Sequence, residues 1–187
     1  MGTYALIVHN LAKSLSRRNG ARSRPKLVIE TALAFRRAQL LDVLQICALV
    51  NRYAAEKLML PRTTEEVALE LDNYVVTSDT DGRVLACAAI YEYSPSVAEI
   101  ASVAVDEAMF SNGLGTQAVL AVERIAAGRG FEEVFAMSLT GAFFESLGYT
   151  ETPLAGYPEK LARYGLLVAS GVEIVSKRCY TKSLSAI

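Results

Sequence analysis

Apolar positions recur at two spacings along this chain, and the change from one spacing to the other separates helices from strands. Helical spacing predicts a helix over residues 40–55. Thr63 with Glu66 three residues later forms a capping box, which begins a second helix that ends near Leu71. Apolar and β-branched runs separated by turn residues then predict an antiparallel meander of three strands, at 74–78, 84–93 and 97–105.

Helices and strands alternate in the second half of the chain. The predicted elements are a helix at 116–127, a strand at 133–138, a short helix at 141–147, a strand from Tyr149, a helix from Pro158 and a last strand at 172–180. A meander followed by βαβ units indicates one α/β domain of mixed α+β type with a mixed sheet. We place this domain at residues 34–187. It follows a basic N-terminal extension, residues 1–33, for which the pattern predicts a short helix at 6–15, a linker at 20–26 and the start of a strand at 28–36.

The composition narrows the class of protein. The chain has 187 residues, of which 52% are hydrophobic, and no apolar run reaches the roughly 18 residues of a membrane-spanning helix. Its three cysteines, Cys47, Cys87 and Cys179, are far apart, and His9 is the one histidine. This argues against a zinc site and against Ser–His or Cys–His catalysis, and favours buried thiols in a reducing compartment. We therefore expect a soluble cytoplasmic protein that binds no metal and no membrane.

Charge is distributed unevenly. Residues 1–37 contain eight Lys or Arg and a single acid, Glu30, whereas the remaining 150 residues contain 11 basic and 19 acidic side chains, a net charge of −8. A basic, acid-poor start is typical of a transit peptide or a phosphate-binding arm, but it also suits a solvated helix and linker. Because the arm lacks interleaved aromatic residues and the domain is acidic, we expect no nucleic-acid binding.

A glycine-containing loop between a predicted strand and a predicted helix is the first feature that indicates chemistry. Gly113 and Gly115 let the backbone approach a ligand closely, and the free N–H groups at a helix start bind phosphate oxygens. The spacing is neither a Walker loop nor a full GxGxxG motif, and Asn-Gly is also a common turn. A pyrophosphate site and an ordinary turn therefore both fit this loop.

Several short motifs in one order carry a resemblance to a known family. They are Arg36-Arg37-Ala38 with Asp42, the strand pair flanking Ser94-Pro95, the Gly113/Gly115 loop before a helix, and Phe143-Phe144 before Leu147-Gly148-Tyr149. In this order the chain resembles the GCN5-related N-acetyltransferase (GNAT) family over about residues 34–182. Leu60-Pro61-Arg62-Thr63, the run at 98–105 and Ser176-Lys177 are most similar to the acetyltransferase domain of N-acetylglutamate synthase, an enzyme of arginine biosynthesis. The resemblance implies the acyl-CoA N-acyltransferase fold, a central mixed, mostly antiparallel sheet flanked by helices.

The resemblance also implies acetyl-CoA as co-substrate and no metal. The residues that match the family's CoA site are Val103, Ala104, Val105, Asn112, Gly113, Leu114, Gly115, Thr116 and Phe144. Glu99 matches a catalytic base acting through water, although an exposed strand carboxylate would have the same pattern. Ser138 matches a polar catalytic partner of the amine or of the leaving thiolate. In this fold such groups serve small-molecule substrates, and a homodimer is compatible with it.

Arg62 and Ser176 match positions that bind the substrate's carboxylates in similar synthases. A solvated arginine at the start of a helix is the alternative for Arg62. The arginine that accompanies the serine in the family falls at Ile174 here, which removes one cation. Lys177 or Arg178 could replace it, but alternation along the predicted last strand places Ser176 and Lys177 on opposite faces.

Two aromatic residues depart from the family pattern. Phe110 stands where the pyrophosphate loop usually begins with Arg or Gln, and Asn112 stands at the position of an Arg or Gly within it. Phe144 stands where many relatives carry the tyrosine that acts as general acid, so that a proton for the thiolate must come from water, Tyr149 or Tyr164. The sequence therefore predicts an acetyl-CoA-dependent N-acetyltransferase for a small amino acid, glutamate first. The alternatives are another amine acceptor, or a CoA-binding regulatory module that has lost turnover.

Overall fold

The computed structural model describes residues 33–184. The helix at 6–15, the linker at 20–26 and nearly all of the basic extension lie outside the described residues. Of the strand predicted at 28–36, the structure describes residues 33–36. Residues 33–35 form no regular element there, and the strand spans Arg36–Arg37.

Seven strands and five helices form the described part of the chain. The strands are β1 (Arg36–Arg37), β2 (Tyr74–Ser78), β3 (Val84–Glu92), β4 (Val97–Val105), β5 (Glu133–Ser138), β6 (Thr150–Thr152) and β7 (Arg178–Ser183). The helices are α1 (Val43–Ala55), α2 (Thr64–Leu69), α3 (Leu114–Gly128), α4 (Gly141–Glu145) and α5 (Pro158–Ala169). Short 3-10 turns lie at Leu40–Asp42, Leu71–Asn73, Glu107–Met109 and Leu154–Gly156. The predicted capping box is present, since Thr63 accepts from the Glu66 N–H and Glu66 accepts from the Thr63 N–H.

Within residues 33–184 the strands form one mixed sheet in the order β1-β2-β3-β4-β5-β7-β6. Neighbours are antiparallel except β4 and β5, which are parallel. The predicted fold class is confirmed: helices cover a central, mostly antiparallel sheet on both faces.

The centre of the sheet is buried on both faces because small apolar residues fill β3. Ala86, Cys87, Ala88 and Ala89 are each fully buried, as expected for a strand that has helices on both sides. One face packs against α3 and the other against α1, in two separate core clusters. The small side chains of β3 let both helices approach the sheet closely.

The pairing between β4 and β5 ends early, and this opens the sheet. Their register covers Val97–Glu99 against Glu133–Phe135, although β4 continues to Val105 and β5 to Ser138. On its other side β4 has a bulge, because the register with β3 shifts between Cys87 and Ala89. Ser102, opposite this shift, has φ of 52°, a left-handed conformation that is uncommon for a side chain of this type. Beyond Glu99, β4 thus diverges from β5.

The last strand differs from the prediction. It begins at Arg178 rather than at 172, and residues 172–177 form no regular element. The reason is the length of its partner: Arg178 lies opposite Ser138, where β5 ends and the chain turns into α4, so no strand is there to pair with residues 172–177. Ser176 and Lys177 therefore lie in a loop, and the expected alternation between two strand faces does not apply to them.

Candidate active site

A cleft with a volume of about 170 Å³ lies where β4 and β5 diverge. The bulged half of β4 forms one wall, through Ser102, Val103 and Val105 among others. The start of α3, the end of β5 and helix α4 form the opposite side, and Leu58 and Met59 of the loop after α1 complete it. Seven of the residues predicted for CoA binding line this cleft: Val103, Val105, Gly113, Leu114, Gly115, Thr116 and Phe144.

Two predicted CoA-site residues do not line the cleft. Ala104 is 1% exposed and packs in the core cluster under α1, because it points to the opposite face of β4 from Val103 and Val105. Asn112 is exposed on the loop before Gly113.

The start of α3 has the geometry of an anion site. Gly113 is the N-cap with φ of 76° and has no capping side chain, so the first-turn N–H groups stay available to a ligand. A Cβ built on Gly115 would lie 3.6 Å from the Phe143 ring and 3.8 Å from Val105 Cγ2. The helix start therefore lies close to both walls of the cleft, and a longer side chain at residue 115 would extend between them.

Aromatic side chains line the cleft near the start of α3. Phe110, which stands at the position for which the family resemblance implies Arg or Gln, lines the cleft. Phe144 is 6% exposed and packs edge-on against Phe143 and Tyr149. Phosphate contacts at this loop would come from backbone N–H groups or from the Ser111 and Thr116 hydroxyls, because none of the loop residues that line the cleft is charged.

Glu99 is buried in the protein interior and is not an exposed strand carboxylate. Lys160 Nζ donates to its Oε1 at 2.6 Å and to its Oε2 at 2.7 Å, and the Tyr93 hydroxyl donates to Oε2 at 3.0 Å. The Lys160 side chain is 3% exposed and that of Glu99 is 6% exposed. Burial lowers the pKa of Lys160, although the Glu99 carboxylate opposes this. The Glu99 side chain is not among those that line the cleft.

Lys160 was not predicted as a site residue, although the sequence pattern contains a signal that this lysine is buried. Tyr157, Lys160 and Tyr164 recur at positions i, i+3 and i+7, the spacing of a buried helix face, so a lysine there needs a counter-charge. The identity of that counter-charge, 61 residues earlier, could not be predicted.

Arg62 is buried, which excludes the solvated alternative. Its backbone is held by Asn51, which accepts from the Arg62 N–H at 2.9 Å and donates to the Arg62 carbonyl at 2.8 Å. Its guanidinium carbon lies 4.8 Å from the centroid of the Tyr91 ring, and that of Arg163 lies 4.9 Å from the same centroid. The buried Nε of Arg62 has no hydrogen-bond partner in the described part of the chain. The guanidinium is therefore only partly satisfied: its Nη1 donates to the Pro61 carbonyl at 3.3 Å, whereas Nε lacks an acceptor.

The loop before β7 separates the two residues of its predicted motif. Ser176 is exposed and Lys177 lines the cleft. Burial lowers the pKa of Lys177 to about 8, and the nearby Lys160 and Arg62 add to this effect while Glu99 opposes it.

Ser138 is buried at the end of β5 and forms a turn rather than a wall of the cleft. Its Oγ accepts from the Thr140 N–H at 2.9 Å and lies 3.0 Å from Thr140 Oγ1. Thr140 itself lines the cleft. The polar residue that lines the cleft just after the end of β5 is therefore Thr140.

Neither tyrosine considered as a proton donor lines the cleft. The Tyr149 hydroxyl donates to Glu123 in the core at 2.8 Å, and Tyr164 lies under the Lys160 amine, 4.6 Å from its ring centroid. Tyr53 does line the cleft; its hydroxyl donates to the Val105 carbonyl, and burial raises its pKa to about 12.

Residues 33–184 hold no group of three or more His, Cys, Asp or Glu placed to bind a metal ion. The same part of the chain has no helix that is both long and apolar enough to cross a membrane.

Comparison with known proteins matches this fold and cleft to one family. The profile of the Acetyltransferase (GNAT) family matches residues 41–149. An uncharacterized N-acetyltransferase of Chlorobaculum tepidum is 34% identical over 128 residues, which cover 68% of this chain and 82% of that protein. The amino-acid acetyltransferase of Mycobacterium tuberculosis is 30% identical over 146 residues, 74% of this chain and 83% of that protein. Against the amino-acid acetyltransferase of Proteus mirabilis, at 28% identity, the match covers only 32% of the relative's length.

Solved structures give the same result. Rv2747 from Mycobacterium tuberculosis, in complex with CoA and NLQ, has a TM-score of 0.69 at 25% identity and covers 80% of this chain and 98% of its own. N-acetylglutamate synthase from Neisseria gonorrhoeae, complexed with coenzyme A and N-acetyl-glutamate, has a TM-score of 0.71 at 23% identity and covers 94% of this chain and 40% of its own, a likeness of fold. The chain therefore belongs to the Acetyltransferase (GNAT) family and is an acyltransferase.

Proposed function

We propose that this protein transfers the acetyl group of acetyl-CoA to the amine of a small amino acid, with L-glutamate as the first candidate. The observation that carries the proposal is a buried arginine, Arg62, whose Nε has no hydrogen-bond acceptor among the described residues. A role in arginine biosynthesis and a cytoplasmic location are part of the same proposal.

The cleft offers backbone hydrogen-bonding groups and apolar walls that suit acetyl-CoA. The bare backbone at Gly113 to Thr116 offers N–H groups to a pyrophosphate, and the free edge of β4 at Val103 and Val105 offers the backbone groups to which a pantetheine arm binds. The walls between these two ends are apolar, which suits the arm itself. That two structural neighbours contain CoA supports the same position for the cofactor.

The charges grouped around Tyr91 and Glu99, of which that of Lys177 lines the cleft, suit an acceptor with carboxylates. Four cations, Arg62, Lys160, Arg163 and Lys177, surround Tyr91 and Glu99, and the carboxylates among them are Glu99 and Glu70. Among the described residues this group therefore carries more positive than negative charge, whether Lys177 is protonated or neutral. A substrate carboxylate would neutralise part of this excess and supply the acceptor that Arg62 Nε lacks, through a charge-assisted hydrogen bond.

Glutamate binding should nevertheless be weak. Ile174 stands where similar synthases have a second arginine, and Ser176 is exposed, so one of the two carboxylates has fewer donors. A lost charge-assisted hydrogen bond costs about 1.5–3 kcal/mol, which is a factor of ten or more in affinity. We expect glutamate to be used with a high KM.

Catalysis in this site requires a neutral amine and a proton for the leaving thiolate. Glu99 acting through water and Ser138 beside Thr140 are the groups that the family resemblance supplies for these steps. Their hydrogen bonds to Lys160 and Thr140 suit indirect roles, in which they orient other groups.

A CoA-binding module without turnover is the second candidate. It is favoured by Phe110 in the phosphate loop and by Phe144 in place of a tyrosine, two changes that remove polar groups from the cleft.

Release of free CoA from acetyl-CoA with glutamate as acceptor tests the proposal. Arg62→Met should raise the KM for glutamate by about tenfold or more, because one carboxylate loses its partner. Thr63→Ala is the matched control, since it changes the adjacent helix cap and leaves the guanidinium in place. Equal KM values in the wild type and Arg62→Met would remove glutamate from the proposal, and CoA binding without release would favour the second candidate.

A further inference from the structure

Lys177 is the one charged side chain among the described residues that line the cleft. It shares the cleft with Ser102 and Val103 of the β4 bulge and with Gly115 and Thr140 on the other side. In the described part of the chain its amine makes no ion pair, whereas Lys160 and Lys182 are each bound to a buried carboxylate. A cleft-lining amine without a counter-ion has its lone pair available whenever it is neutral.

We propose that the Lys177 amine is the base that removes the proton from the acceptor's ammonium group. This inference rests on the proposed function and names the proton acceptor of the same site. A general base must lie within hydrogen-bond reach of the proton it takes, so it must face the space in which the acceptor binds. Lys177 meets that condition, and its loop lies beside the cation cluster where the acceptor's carboxylates would bind.

The other titratable groups nearby are less suited to this step. Glu99 is outside the cleft lining, and its two oxygens already accept three hydrogen bonds from Lys160 and Tyr93. Tyr53 lines the cleft, but its hydroxyl donates to Val105, and its pKa is raised to about 12.

The surroundings of Lys177 make its charged form less favourable than it would be in water. Lys160 on α5 and Arg62 before α2 are cations that face it, and Glu99 on β4, the carboxylate near it, is bound to Lys160. Together with burial these charges lower the pKa of Lys177 to about 8. A lysine in such a place is a better base at neutral pH than one in water, because a larger fraction of it is unprotonated.

The proton balance of the reaction is complete with this assignment. One proton passes from the acceptor ammonium to Nζ of Lys177, and the neutral amine then forms a C–N bond to the acetyl carbonyl carbon. As the C–S bond breaks, the thiolate takes the proton that the new amide nitrogen loses. The proton on Nζ leaves to solvent and the lysine returns to its neutral form. No general acid is needed at the position of Phe144.

Direct titration is the first test, and it does not depend on an acceptor. In protein labelled with 13C at the lysine ε-carbon, the signal that Lys177→Arg removes should titrate with a midpoint near 8, whereas exposed lysines should titrate near 10.4. A midpoint of 10 or higher overturns the proposal whether or not the protein acetylates any amine.

Kinetics are the second test, with the acceptor that gives the highest rate. Lys177→Arg keeps the positive charge but cannot lose its proton, so kcat should fall by roughly 10²–10⁴-fold while KM changes little, and the rise of kcat with pH near 8 should disappear. Lys57→Arg, in an exposed ion pair with Glu173, is the control and should keep both kcat and its pH profile. A Lys177→Arg variant with the wild-type kcat and pH profile overturns the proposal, and so does a tenfold increase in KM alone, which would make Lys177 a carboxylate contact. If no acceptor is acetylated by the wild type, the proposed function fails and the role of Lys177 fails with it.

Discussion

Lys160→Met removes one partner of the buried ion pair with Glu99 and keeps a side chain of similar length. Both side chains are almost fully buried, so the remaining carboxylate has no water to replace the ammonium group. Removing one member of a buried pair typically costs 3–5 kcal/mol, because the other charge is left uncompensated.

The free-energy cost of Lys160→Met can be estimated from the protonation of the Glu99 carboxylate. A carboxylate left alone in this position takes up a proton and keeps its hydrogen bond with Tyr93. Protonating a glutamate of ordinary pKa, about 4.3, at pH 7 costs about 3.7 kcal/mol, since each pH unit is worth about 1.36 kcal/mol. The cost of Lys160→Met in free energy of unfolding is therefore about 3.7 kcal/mol at pH 7.

The cost of Lys160→Met in free energy of unfolding should increase with pH. In the variant the carboxyl is neutral when folded and ionised when unfolded above pH 4.3, so its native pKa is raised. Such a group stabilises the fold fully below the unfolded pKa and loses that contribution as pH rises. The difference between wild type and Lys160→Met should thus shrink to about 1 kcal/mol at pH 5 and grow toward pH 7.

Urea unfolding followed by far-UV circular dichroism at pH 5 and pH 7 measures both values, since the chain has no tryptophan. Adding Glu99→Gln to Lys160→Met should recover much of the loss. Lys57→Met is the matched control: its ion pair with Glu173 is 54% and 69% exposed, and it should cost at most about 1 kcal/mol. A cost below 1 kcal/mol for Lys160→Met at pH 7, or one that does not vary with pH, refutes the reasoning.

Three further outcomes are expected. Millimolar acetyl-CoA should raise the melting temperature of the wild type by about 5–10 °C, which corresponds to about 2.7 kcal/mol at a hundred times the dissociation constant. Gly115→Val should abolish this shift, whereas the control Gly128→Ala, at the far end of the same helix, should keep it. Thr63→Ala should lower the free energy of unfolding by about 1 kcal/mol, measured in urea, because the capping box at α2 is lost. Asp42→Asn should cost about 1–3 kcal/mol above pH 4, and the difference should decrease as pH falls toward and through the native pKa of Asp42, which its hydrogen bonds with Arg36 hold below the ordinary value. A cost that does not decrease below pH 4 would contradict this.

The elements that the sequence predicted well are bounded by local turn signals. The strands Tyr74–Ser78, Val97–Val105 and Glu133–Ser138 have the predicted limits, because Gly, Pro, Asp and Ser residues stand at their ends. The glycine loop before a helix was likewise predicted, and Gly113 adopts there a left-handed conformation that glycine permits.

What the sequence could not predict depends on partners far along the chain. The last strand starts at Arg178 because β5, forty residues earlier, ends at Ser138. The pairing of Glu99 with Lys160 is equally non-local, and it changes the chemistry of the site: a carboxylate that the pattern presents as a free base is held in the interior by an ammonium group. Which charges pair in a site depends on tertiary packing, and the order of motifs along the chain does not predict that packing.

One competition experiment tests the central claim most directly. The wild type is incubated with acetyl-CoA and an equimolar mixture of the twenty amino acids and common polyamines, and the acetylated products are quantified by mass spectrometry, so that their ratios give relative kcat/KM. The account predicts N-acetylglutamate as the main product, formed at a rate that rises with glutamate well into the millimolar range. Acetylated polyamine as the main product, or no acetylated amino acid from a protein that binds acetyl-CoA, would contradict it.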